Sequence, residues 1–174
     1  MSNVLVSIFS PDRTGLVSAI TGRLFELGAD LGDTSFAVLG AGAEFSSVCR
    51  VPDHLTSQEV QSELADHPEL AGATVTVRPF GLAAEHGPSA AITHTVTVSG
   101  GDRPGLIARL SEAFTQYGAN IVRLDAQRLA LAEGGRYITR FAVWVPPSSR
   151  PACLNTVANT AGELGLSCSW EQQG

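Results

Sequence analysis

The stretch Ser10-Pro11-Asp12-Arg13-Thr14-Gly15-Leu16-Val17 returns ninety residues later as Gly100-Gly101-Asp102-Arg103-Pro104-Gly105-Leu106-Ile107. Asp12, Arg13, Gly15, Leu16, Gly28 and Ala29 recur at that fixed offset as Asp102, Arg103, Gly105, Leu106, Gly118 and Ala119. Average residue usage gives about one chance identity over such a window. The apolar pattern agrees: Leu16, Val17, Ile20, Leu24 and Leu27 are answered by Leu106, Ile107, Leu110, Phe114 and Tyr117. A repeat of fixed period sets the architecture before any local reading does. The chain is a tandem duplication.

Outward from the repeated turn, each copy offers the same elements. Residues 4–9 place Val4, Val6 and Ile8 on one side, and residues 93–99 alternate Val96 and Val98 with Thr95 and Thr97, as half-buried strands do. After the turn, apolar residues fall at i, i+1, i+4, i+8 and i+11, one stripe of a helix. Gly28 and Gly118 stand where a glycine would end it. Two strands and a hairpin follow, over 31–39 and 44–51 around Gly40-Ala41-Gly42, and over 121–131 and 136–145 around Glu133-Gly134-Gly135. Val51-Pro52 and Val145-Pro146 close the third strands. A second helix then runs from the Thr56-Ser57-Gln58-Glu59 capping box to about Asp66, and over 152–164 in the second copy. Residues 73–78 and 166–170 form the last strands.

The order β-α-β-β-α-β, twice, predicts an α+β chain of two ferredoxin-like domains. They occupy residues 1–80 and 92–174, with a polar linker over 81–91 that contains Glu85-His86-Gly87-Pro88-Ser89. Each unit is small enough that its own burial is marginal. Pairing of the two sheets and self-association into a homo-oligomer are therefore expected.

Composition narrows the function. Eleven basic residues against 17 acidic ones give a net charge of -6, and every basic residue is Arg, scattered singly from Arg13 to Arg150. Direct nucleic-acid binding needs a basic face that displaces counterions from phosphates, and no such stripe is present. No apolar run approaches the roughly 20 residues of a membrane helix. The start, Met1-Ser2-Asn3-Val4, lacks a signal-peptide pattern, so a cytoplasmic location is expected. Cys49, Cys153 and Cys168 form no Cys-x-x-Cys pair and read as reduced core thiols. His54, His67, His86 and His94 are too dispersed for a structural zinc site. Neither a metal nor a cofactor is expected.

A strand, then Asp-Arg-Thr/Pro-Gly-Leu, then an amphipathic helix ending in Gly28-Ala29-Asp30-Leu31 or Gly118-Ala119-Asn120-Ile121, resembles the ACT domain over nearly the whole chain. The resemblance implies a small regulatory module that senses a ligand, often an amino acid. A free-standing pair of such domains resembles the glycine cleavage system transcriptional repressor family. That implies indirect control of transcription through a DNA-binding regulator protein. It also implies a ligand site between the turn of one domain and the start of the second strand of a partner domain. The matching positions are Asp12, Arg13, Thr14, Gly15 and Leu16 with Asp30 and Leu31, and Asp102, Arg103, Pro104, Gly105 and Leu106 with Asn120 and Ile121.

The residues support such a site on their own terms. Glycine lets a ligand approach the backbone, and the unpaired N–H groups of a helix start favour an anion such as a carboxylate. The plainer reading is a tight turn in which Asp12 or Asp102 caps the helix. Asn120 both donates and accepts hydrogen bonds, which suits a zwitterion, whereas ionised Asp30 would repel a carboxylate. Thr14 against Pro104 changes a donor as well, and the second copy is the favoured site. Arg13 and Arg103 either reach a carboxylate or are solvated surface side chains.

Two other classes compete. An enzyme of unknown reaction would need site machinery, yet there is no Gly-x-Ser-x-Gly, no His-Glu-x-x-His and no clustered Cys/His pair. An RNA-binding module shares the element order but stacks bases on sheet aromatics in a Lys/Arg-Gly-Phe-type motif. The middle strands here carry Phe45-Ser46-Ser47-Val48 and Tyr137-Ile138-Thr139-Arg140-Phe141 instead. The reading that remains is a non-enzymatic regulatory module.

Overall fold

The computed structural model describes residues 1–130 and 134–174. The chain divides into two compact units, Met1–Ala84 and Glu85–Gly174, a boundary inside the 81–91 stretch. In the first unit, β1 (Ser2–Pro11), α1 (Leu16–Glu26), β2 (Asp30–Leu39), β3 (Gly42–Val51), α2 (Ser57–Ala65) and β4 (Thr74–Pro79) follow in order. In the second, β5 (His94–Gly100), α3 (Leu106–Gln116), β6 (Asn120–Leu129), β7 (Arg136–Trp144), α4 (Arg150–Glu163) and β8 (Ser167–Gln172) repeat it. Each unit is a four-stranded antiparallel sheet, ordered β2-β3-β1-β4 and β6-β7-β5-β8. The expected α+β pair of βαββαβ domains is what the chain forms.

Element ends move by one or two residues. β6 stops at Leu129, and the expected continuation to Leu131 and the Glu133 corner of the hairpin lie outside the described residues. α4 begins at Arg150 because Pro151 falls in its first turn, where a missing N–H costs nothing. Pro88–Ala90, in the expected linker, forms a short 3-10 turn in the second unit.

The expected glycine ends of the first helices are present. Gly28 and Gly118 are left-handed, with φ of 74° and 68°. Beside each, the N–H of Ala29 donates to the Leu24 carbonyl and that of Ala119 to the Phe114 carbonyl, closing a Schellman motif. α2 starts on the expected capping box. The Thr56 hydroxyl accepts from the Glu59 N–H at 3.2 Å, and the Thr56 N–H donates to the Glu59 carboxylate at 2.7 Å. That backbone donor, helped by the Thr56 hydroxyl, holds the Glu59 carboxyl below its ordinary range.

A depressed carboxyl pKa stabilises the fold above the unfolded value, and the contribution is lost as pH falls through the folded one. Removing an N-cap hydroxyl costs about 1 kcal/mol. Thr56→Ala is therefore expected to lower the melting temperature of the first unit. It should also move the Glu59 titration, followed by carboxyl NMR, up toward the usual carboxylate range. An unchanged Glu59 titration would contradict the cap.

The helices cover one face of each sheet. Val6, Ile20, Leu24, Phe45, Val60 and Leu64 fill the first core, and Val96, Leu110, Phe114, Phe141, Val143 and Val157 the second. Phe114 and Phe141 meet with ring centroids 5.3 Å apart and planes tilted by 50°. Counted back from Pro52 and Pro146, Phe45 in β3 corresponds to Thr139 in β7, and Ser47 to Phe141. The buried aromatic has moved two residues along the strand. Thr139 is fully buried, and its hydroxyl has no hydrogen-bond partner among the described residues. Cys49 and Cys153 are buried free thiols and Cys168 a half-buried one. Burial pushes the Cys153 thiol up to about 11, as expected of an inert core thiol. His94 opens β5, inside the strand expected over 93–99; it is buried, and its pKa is lowered by desolvation and then by Arg150.

Candidate functional site

Each repeated turn is built the same way. Gly15 and Gly105 are the N-cap residues of α1 and α3, both left-handed, with φ of 89° and 74°. A left-handed cap turns the chain sharply from strand into helix, a conformation costly for any residue with a Cβ. A Cβ added at either glycine would meet nothing within 4 Å, so the glycines serve conformation and leave the space above the turn open. Leu16 and Leu106, next in the chain, are buried and anchor the helix starts in the core.

The expected aspartate cap is not formed. No side chain caps α1 or α3. The Asp12 N–H donates to the Ala41 carbonyl at 2.9 Å, tying the turn to the β2–β3 hairpin. The Asp102 carboxylate accepts from Arg128 at 2.5 Å, and that guanidinium lies 6.0 Å from the centre of the Tyr137 ring. With the N-cap position taken by a left-handed glycine, each aspartate sits too early in the turn to reach the N–H groups of the first helical turn. In α3 the Leu106 N–H is taken by the Arg103 carbonyl at 3.2 Å, and the N–H groups that follow have no side-chain cap, whereas α2 in the same chain carries a full capping box.

The two turns differ in the room above them. Asp102, Arg103, Pro104, Gly105, Ala108 and Tyr137 border an open recess of about 250 Å³ in the second unit. Arg13, Thr14, Gly15, Ala19 and Glu69 border one of about 100 Å³ in the first. Glu69 adds a carboxylate that disfavours an anion there. Arg103 is committed elsewhere, because its Nε donates to the Leu164 carbonyl at 3.2 Å, at the end of α4. Arg13 is exposed beside its turn.

The strand-start residues stand at the other end of each domain. An eleven-residue helix carries the chain about 16 Å from the turn to β2 or β6. Leu31 and Ile121 pack against the cores. Asp30 is ion-paired with Arg50, so its charge is offset. Asn120 donates from Nδ2 to the Ser89 carbonyl at 2.8 Å. Within one domain, then, the turn and the strand start do not come together. Sequence reasoning missed Tyr137 and Arg128 beside the second turn, since neither is repeated: the positions that match them in the first copy are Ala43 and Val38.

Among the described residues, no group of three or more His, Cys, Asp or Glu side chains could hold a metal ion. No helix there is long and apolar enough to cross a membrane.

No protein-family model matches the chain, and no curated protein matches it significantly. Solved structures do. A protein of unknown function from Galdieria sulphuraria is 20% identical, with 99% of each chain covered and a TM-score of 0.77. A protein provisionally described as a glycine cleavage system transcriptional repressor is 14% identical, with 99% of this chain and 97% of that one covered and a TM-score of 0.65. At such identities the likeness is one of fold. In fold, the chain is a tandem pair of ACT-like, ferredoxin-type domains.

Proposed function

We propose that the chain is a non-enzymatic regulatory module that binds a small ligand, an amino acid, at the Gly105 turn. It acts through a protein partner, a DNA-binding regulator, and so controls transcription indirectly. The observation that carries the reading is the open start of α3. Its first N–H groups have no side-chain cap, they border a recess of about 250 Å³, and the glycine that creates the turn leaves space for a ligand. Such donors hold a carboxylate without a lysine or arginine. The Gly15 turn is the weaker counterpart, with a smaller recess and Glu69 beside it.

The remaining contacts would come from the strand start of a partner domain, which is why self-association belongs to the same reading. Asn120 and Ile121 are the residues offered there, and the Asn120 amide would exchange the Ser89 carbonyl for the ligand. The fold shared with the protein described as a repressor supports the regulatory role by analogy. The net charge of -6 supports a protein contact in place of direct DNA binding.

A thermal-shift screen against the standard amino acids tests the reading, with light scattering in parallel. One or a few amino acids should raise the melting temperature in a concentration-dependent way, and the protein should scatter as an oligomer. No shift with any amino acid, or tight salt-sensitive binding to duplex DNA, would overturn it.

A further inference from the structure

The face of each sheet not covered by helices differs between the two copies. In the second unit it carries a recess of about 470 Å³, larger than either turn recess. Thr95, Arg123, Asp125, Arg140, Ala142 and Gln173 line it, with Ile92 and Gly174 at its rim. Strand register places the side chains on one surface. Arg123 faces Ala142 across β6 and β7, Ala142 faces Thr95 across β7 and β5, and Asp125 faces Arg140. The Gln173 N–H donates to the Thr93 carbonyl at 2.8 Å and its amide to the Thr95 hydroxyl at 3.3 Å, which fixes one wall.

The first copy supplies an internal comparison. The N–H of Phe80 donates to the Asn3 carbonyl as that of Gln173 does to Thr93, so the surfaces align residue by residue. Where the second copy has Thr95, Arg123, Asp125, Arg140, Ala142 and Gln173, the first has Leu5, Asp33, Ser35, Ser46, Val48 and Phe80. Two guanidiniums have been placed on a surface that holds none at those positions in the sister domain, and one of them replaces a carboxylate.

The charges on this face are not all paired. Arg140 is shared with Asp125 at 3.4 Å, while Arg123 makes no hydrogen bond or ion pair among the described residues. Glu171 lies opposite Thr95 on β8, so the surface holds two guanidiniums and two carboxylates. A free guanidinium that lines the same recess as a threonine hydroxyl suits one carboxylate held bidentately. Asp125 and Glu171 suit an ammonium and oppose a second negative charge.

We propose that the uncovered sheet face of the second domain is a binding site for a small zwitterion of the amino-acid class. Arg123 would hold its carboxylate and Asp125 would face its ammonium. The site is separate from the Gly105 turn and stands whether or not that turn binds ligand.

The test is amide NMR on the full chain at constant ionic strength, with glycine, acetate and inorganic phosphate as probes. Glycine should give saturable shifts at Thr95, Arg123 and Ala142, with acetate weaker and phosphate weakest. Arg123→Gln, an exposed change on an edge strand, should weaken the glycine effect by about tenfold or more and leave the rest of the spectrum in place. Gly105→Val should not alter it. Overturning results are an absence of saturable shifts on this face, shifts that survive Arg123→Gln, or phosphate matching glycine. Acetate matching glycine would remove the amino-acid assignment. If Gly105→Val abolishes binding and Arg123→Gln does not, the turn is the site and this face is not.

Discussion

Phe141→Ala is expected to destabilise the second domain by about 3–5 kcal/mol, the range for emptying a fully buried aromatic position. The ring is fully buried, packs on Phe114, and lies in the middle of β7 between Val96 and Leu124. Its removal leaves a cavity that close-packed neighbours on a hydrogen-bonded sheet fill only in part. The measurement is direct, because Trp144 and Trp170 are the only tryptophans and both belong to the second domain. Tryptophan fluorescence in a urea titration should show the midpoint falling with the slope preserved. Hydrogen exchange in β1 and β3 of the first domain should keep its protection. A loss below about 1 kcal/mol would mean that this core repacks easily.

The second large effect concerns ligand and not stability. Gly105→Val forces a β-branched residue to a φ of 74°, at a cost of about 1–3 kcal/mol, at a position where an added Cβ meets nothing within 4 Å. The domain should therefore stay folded. Its two methyl groups would occupy the space above the open N–H groups of α3, and amino-acid binding at the turn should fall by about a hundredfold or more by calorimetry. Gly105→Ala separates the causes, because it carries the conformational cost with far less bulk. Asn120→Asp, which imitates Asp30 of the first copy, is the milder companion and should weaken binding by putting a negative charge at the strand start. If both second-copy variants bind normally while Gly15→Val abolishes binding, the ligand belongs to the first copy.

Much of the fold could be read from the chain because duplication tests each local reading twice. The alternation in residues 4–9, the apolar stripe after Gly15 and the glycine at position 28 each had an independent echo ninety residues on. The Thr56 capping box was legible because both of its hydrogen bonds lie within four residues. The site was legible only where local geometry decides it. A glycine between a strand and an amphipathic helix announces a left-handed turn, and Gly15 and Gly105 provide one. The fate of each polar side chain was not legible, because it depends on partners far along the chain. Asp102 is taken by Arg128, Arg103 by the Leu164 carbonyl, and Asp30 by Arg50. Arg123 and Arg140 escaped notice for the opposite reason: they are not repeated, and only strand register shows that they share a surface.

The exchange of Phe45 for Thr139 and of Ser47 for Phe141 bears on how the chain avoids misfolding. Two domains of one topology in one polypeptide risk trading strands, a known hazard of tandem repeats. If β3 took the place of β7 against β5, Ser47 would stand where Phe141 supports Phe114, and Phe45 would be driven into the space of a threonine. The first error leaves a cavity and a stranded hydroxyl, and the second overfills a packed layer. Shifting one aromatic by two residues makes each hairpin a poor fit for its sister's core. The pattern disfavours an exchange of β3 and β7 between the two halves of the chain.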